Sequence, residues 1–116
     1  TRGPAGLQRI VVKNAGRISS LNVDEIDWIE AADNYVQLHA ARETHLVQGT
    51  LANLEARLSP ERFLRVHRSA IVNVSRIQML EPLLHGEYHI TLATGTTLTS
   101  GRTYRERLER LVARSF

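Results

Sequence analysis

Residues 63–77 read Phe63-Leu-Arg-Val-His-Arg-Ser-Ala-Ile-Val-Asn-Val-Ser-Arg-Ile77. Phe63, Val66, Ile71, Val72, Val74 and Ile77 are the anchors of this stretch, and Phe63 to Val66 opens it as a strand. Between the anchors stand Arg65, His67, Arg68, Asn73 and Arg76. All five can donate hydrogen bonds and none is an obligate acid. A cationic segment pinned by buried neighbours suits an anion that carries hydrogen-bonding edges, and nucleic acid is the commonest such partner. An exposed strand and loop would show much of the same composition.

Outward from this stretch the chain is a series of short alternating segments. Upstream, Arg9 to Lys13 alternates around Ile10 and Val12, Asn14-Ala-Gly16 turns, and Arg17 to Leu21 returns. Asn22 is placed to cap one turn through Val23-Asp24-Glu25-Ile26. Asp27 to Ala32 is a third strand, with Trp28 and Ile29 on opposite faces. Asp33-Asn34 is a tight-turn pair tolerant of left-handed backbone. Tyr35 to Ala40 then sends Val36, Leu38 and Ala40 to one face and Tyr35, Gln37 and His39 to the other. After a turn at Ala41-Arg42-Glu43 comes a strand from Thr44 to Gln48. Thr50 caps a helix over Leu51–Leu58 whose Leu51, Leu54 and Leu58 form one stripe. Ser59-Pro60-Glu61 has room for a single turn before Phe63.

Downstream, Ile77 to Leu84 is strand-like, with Pro82 confining it to an edge or an end. His85-Gly86 turns, Glu87 to Leu92 alternates with Tyr88, Ile90 and Leu92 inward, and Thr94-Gly95 leads to a last strand over Thr96–Thr99. Thr103-Tyr-Arg-Glu106 has the form of a capping box ahead of a closing helix lined by Tyr104, Leu108, Leu111 and Val112. The total is about eight to ten short strands, paired mainly as hairpins, and two short helices.

A chain of 116 residues, 42% of them apolar, supports one domain with a modest core. It contains no run of ~20 apolar residues of the kind that crosses a membrane, and no signal-peptide pattern opens it, so a cytoplasmic location is expected. Without cysteine there are no disulfides and no thiolate metal site. Charge is uneven. Residues 1–58 hold six Lys/Arg against seven Asp/Glu, a net of −1, and residues 59–116 hold nine Arg against five Glu, a net of +4. The basic half contains residues 63–77, as a phosphate-facing half would.

Of the five histidines, at 39, 45, 67, 85 and 89, only His85 and His89 are four apart, and they flank a glycine turn instead of sharing a helix face; the carboxylates are scattered. No nucleophile-elbow, P-loop or dinucleotide fingerprint is present. Neither a metal site nor an enzyme is expected. The arginines of the closing helix alternate with Glu106 and Glu109 as a solvated face would. Arg102 is different, because after Ser100-Gly101 it occupies a strand-to-helix junction and projects from a rigid frame. Two functional classes fit: a DNA binder, or a protein-interaction module whose basic surface docks an acidic partner.

One combination is specific. Asp27-Trp-Ile-Glu-Ala31, Asn34-Tyr35-Val36, Thr50-Leu51 with its leucine stripe, Phe63-x-Arg65-Val-His-Arg-Ser69, Ile71-Val-Asn73, Ile77 and Gly101-Arg102-x-Tyr104 follow in an order that resembles the LytTR family, from about Ile10 to Leu111. The resemblance implies the DNA-binding output domain of a bacterial transcription regulator. Such a domain usually follows a receiver domain of a two-component system or a membrane sensor. It implies a mainly β fold, an elongated antiparallel β-sandwich of short strands with two short helices. Residues 1–8 would be a linker and 9–116 the domain. It implies loops inserted into successive major grooves of double-stranded DNA, two protomers on paired direct repeats, and no cofactor. It assigns base contacts to Asn34 and Tyr35, to Asn73 and to Arg102, and phosphate contacts to Arg68 and Arg76. Many members carry serine where this chain has Gly101, so either one phosphate contact is lost or Ser100 supplies that hydroxyl.

Overall fold

Ala15 and Gly16 both have positive φ, 51° and 80°, and fold Arg9–Asn14 (β1) back onto Arg17–Asn22 (β2) through a two-residue turn. This hairpin opens the structure, a computed structural model that describes residues 6–41 and 43–115. Asn22 caps a single 3-10 turn over Val23–Glu25, its side chain accepting from the Asp24 amide. The chain continues as β3 (Ile26–Ala32), β4 (Tyr35–Ala40), β5 (Thr44–Gln48), helix α1 (Leu51–Arg57), β6 (Phe63–His67) and β7 (Ala70–Asn73). A second 3-10 turn, Val74–Arg76, leads into β8 (Ile77–Pro82), followed by β9 (Tyr88–Leu92), β10 (Thr97–Thr99), a 3-10 turn at Arg102–Tyr104, and α2 (Arg105–Ser115).

The strands form three antiparallel sheets: β1-β2, a central β5-β4-β3-β7-β6, and β10-β9-β8. Period-two alternation explains how they stack. On one face of the central sheet Ile29, Val36, Leu38 and Ile71 meet Ile10 and Val12 of the hairpin and Leu51 and Leu58 at either end of α1. On the other face Val66, Ala70 and Val72 meet Ile90, Leu92 and Leu108 of the three-stranded sheet and α2. Trp28 packs against this second core and Ile29 lies in the first, as their opposite orientation requires. The result is a layered β-sandwich with principal extents of 46 × 35 × 23 Å, the mainly β, two-helix architecture expected.

Three details differ from expectation. Leu7 donates its amide to Arg57 O (2.8 Å) and packs against the first core, so the fold reaches back into the segment expected as linker. Residues 1–5 of that segment, and Arg42 of the turn after β4, lie outside the described residues. β8 stops at Pro82 rather than Leu84, because His85 and Gly86 take positive φ and reverse the chain. The capping box does not form. A 3-10 turn over Arg102–Tyr104 runs into α2 without a side-chain cap, and Glu106 lies 3.9 Å from Arg110 instead. Thr103 therefore sits inside the turn and not at its start.

Candidate nucleic-acid interface

Two hairpin turns and one strand-to-helix junction lie side by side at one end of the central sheet. The β3–β4 turn consists of Asp33 and Asn34, with Asp33 in the left-handed region at φ 58°. The β6–β7 turn consists of Arg68 and Ser69. The Ala31 amide donates to Ser69 O (2.9 Å), which holds the two turns together. Beyond β6, the Gly101 amide donates to Val66 O (2.9 Å) and brings Arg102 to the same end. Asn34, Tyr35, Arg68 and Arg102 are all exposed there.

Most other arginines of residues 59–116 are paired with acids. Arg62 pairs with Asp24, Arg65 and Arg107 with Glu55, Arg105 with Glu109 and Arg110 with Glu106. Among the described residues Arg68 and Arg102 meet no carboxylate. Two uncommitted guanidiniums on one rim can take phosphate oxygens or a guanine edge.

The remaining three sequence candidates are elsewhere. Asn73, to which the resemblance assigns a base contact, is buried. Its Nδ2 donates to Ile26 O (2.7 Å), and its Oδ1 accepts from the Ser75 amide (3.0 Å) and from Ser75 Oγ (2.8 Å). The reason is that β7 is a central strand covered on both faces, so Asn73 shares the inward direction of Ile71 and caps the turn that follows. Arg76 lies at that same far end of the sheet. Its Nε is 2.9 Å from Oδ1 of buried Asp27, an ion contact off the hydrogen-bond axis, and its Nη2 donates to Asp24 O (2.9 Å). Ser100 is 1% exposed, and its Oγ accepts the Tyr88 amide (2.9 Å), extending the β9–β10 pairing. Its buried hydroxyl does not reach the surface where a phosphate would lie.

Arg65, which the sequence reading passed over as one more cation, braces the β6–β7 turn. Its Nε donates to His67 O (3.0 Å), its Nη2 to Arg68 O (2.6 Å) and its Nη1 to Glu55 Oε1 (3.0 Å). The other Glu55 oxygen accepts from Arg107 Nη1 (2.7 Å). Burial pushes the Glu55 carboxyl up, but hydrogen bonds from Arg107 and Arg65, together with their charges, outweigh it and hold the group below the usual glutamate range. Inside the same turn, His67 Nδ1 accepts from the Ser69 amide (3.1 Å).

Among the described residues no three His, Asp or Glu come together as metal ligands could, and no helix is long and apolar enough to cross a membrane.

Known proteins agree on one kind of molecule. A family model described as LytTr DNA-binding domain matches residues 16–113. The chain is 32% identical over 92 residues to the sensory transduction protein LytT of Bacillus cereus, covering 79% of this chain and 37% of that protein. It is 29% identical over 108 residues to the LytT of Bacillus anthracis, covering 93% of this chain and 44% of that protein. The chain thus spans about two fifths of the length of these relatives. A solved LytTr DNA-binding domain from Bacillus cereus superposes with a TM-score of 0.82 at 23% identity, over 92% of this chain and 98% of that one.

Proposed function

The chain belongs to the LytTR family of DNA-binding domains, and we propose that it binds double-stranded DNA in a sequence-dependent manner as the output part of a longer cytoplasmic transcription regulator. The observation that carries this reading is the rim holding Asn34, Tyr35, Arg68 and Arg102, where both arginines are free of acids among the described residues. In it, Arg102 takes the N7/O6 edge of a guanine, Arg68 takes phosphate, and Asn34 and Tyr35 approach bases beside them. The turns enter successive major grooves, and two protomers occupy paired direct repeats. The length and names of the relatives, sensory transduction proteins and transcriptional regulatory proteins, support a regulator with a receiver or sensor upstream.

Selection of bound duplexes from a random pool, followed by salt-titrated binding to the selected and a scrambled duplex, tests the reading. The expected result is a preference of at least about 1,000-fold for the selected duplex. Equal affinity for both at every salt concentration would reduce the rim to a generic anion surface.

A further inference from the structure

Arg68 and Arg102 stand on different turns, and one chain of contacts, polar as far as Arg107, connects them. The Arg68 carbonyl is held by Arg65 Nη2, Arg65 Nη1 by Glu55, and Glu55 by Arg107. The Arg107 guanidinium lies 5.1 Å from the ring centre of Tyr104, a cation–π contact. That ring in turn flanks Gly101, where a Cβ would sit 3.4 Å from Tyr104 Cδ2 and 3.5 Å from His67 Cδ2. Both ends of the chain are thus backbone segments that carry an uncommitted arginine. The middle is one carboxylate of α1, which belongs to neither turn and serves both. Arg65 is the most enclosed member, with a side chain only 14% exposed. A network whose members meet in this way has coupled energetics, so shifting one end is felt at the other.

We propose that Glu55, with Arg65 and Arg107, is a positioning relay that sets the spacing between Arg68 and Arg102 on DNA. The proposal rests on the DNA-binding reading above. None of the three touches DNA in it; they act through the turns they brace. Glu55 is the weak point, because it alone accepts from both arginines, and a glutamine there can accept from one while its amide NH2 repels the other.

The test is a double-mutant cycle read as affinity for the selected and scrambled duplexes. Glu55→Gln is expected to lose about tenfold on the selected duplex, with no loss on the scrambled one. In an Arg102→Ala background, where no spacing is left to hold, the Glu55→Gln loss should shrink to about twofold or less. A Glu55→Gln loss of the same factor in both backgrounds would make Glu55 a merely structural residue and overturn the relay while leaving the DNA-binding reading intact. If the unmodified domain prefers no duplex, both readings fall together. If Glu55→Gln does not fold, Arg107→Lys replaces it. Lysine keeps the charge but loses the planar contacts to Glu55 and Tyr104, and the same pair of outcomes decides.

Discussion

At one end of the central sheet Arg68 stands on a two-residue turn and meets no carboxylate; at the other, Arg76 closes a three-residue turn and lies against Asp27 and Asp24. The same contrast separates two asparagines. Asn34 is exposed on its turn, whereas Asn73 spends both ends of its amide inside the fold. Residue type therefore does not distinguish the end proposed for recognition from the structural end. What distinguishes them is whether each polar group already has a partner within the chain.

The contrast yields predictions of graded size. The largest effect belongs to Asn73. Asn73→Ala leaves the buried Ile26 carbonyl without its partner and removes the cap on the Ser75 amide, and urea unfolding should show a loss of about 2–4 kcal/mol. A stable variant that loses discrimination at one base pair would break the comparison. Next is Arg76→Ala, which strands the buried Asp27 carboxylate. It should cost about 1–3 kcal/mol of stability, reduced from the cost of a fully buried pair because Arg76 is partly solvated, and leave the salt slope of DNA binding unchanged. The recognition end should behave in the opposite way. Arg102→Lys should keep unfolding free energy within about 0.5 kcal/mol while losing at least about 1 kcal/mol on the selected duplex, and it should relax one G·C preference. Retention of the selected sequence by this variant would leave Arg102 as a phosphate contact only. Arg68→Ala should weaken selected and scrambled duplexes alike and lower the salt slope by about 1.

The smallest effect concerns pH. The folded-state pKa of Glu55 is depressed, so its contribution to stability is fully present above the ordinary glutamate pKa and is lost as pH falls through the lower folded value. The stability gap between the unmodified domain and Glu55→Gln should therefore hold at neutral pH and narrow below the usual carboxylate range. A gap that is constant down to pH ~3 would show that the carboxylate charge is not what the arginines require.

Much of the sandwich was visible in the sequence. Alternation at Tyr35–Ala40 and Glu87–Leu92 assigned the faces of β4 and β9, and Asn22, Thr50 and the pairs Asp33-Asn34 and Thr94-Gly95 marked caps and turns where the structure has them. Asn73 lacks the exposure a base contact needs, because β7 has no outward face. Residues 70–73 do not alternate, which is the pattern of a strand covered on both faces. A second signal was available. Asn22-Val-Asp-Glu-Ile26 and Asn73-Val-Ser-Arg-Ile77 share the form Asn-Val-x-x-Ile, and both fold as an asparagine-capped 3-10 turn feeding the next strand. The Arg65–Glu55–Arg107 contacts were beyond reach, because they join β6 to α1 and α2 across 10 and 52 positions and no local pattern encodes them.

Strand β7 lends Ile71 to one core while Ala70 and Val72 serve the other. Peeling away either outer layer would strip contacts from the same short strand that holds the opposite layer. Melting is then expected as a single cooperative transition, with Trp28 fluorescence and far-ultraviolet circular dichroism superimposing through it. A body that cannot loosen one layer at a time meets its ligand as a stiff object. Bending, where the complex requires it, falls to the duplex, and base-pair steps that bend easily would be favoured even at positions the protein never touches.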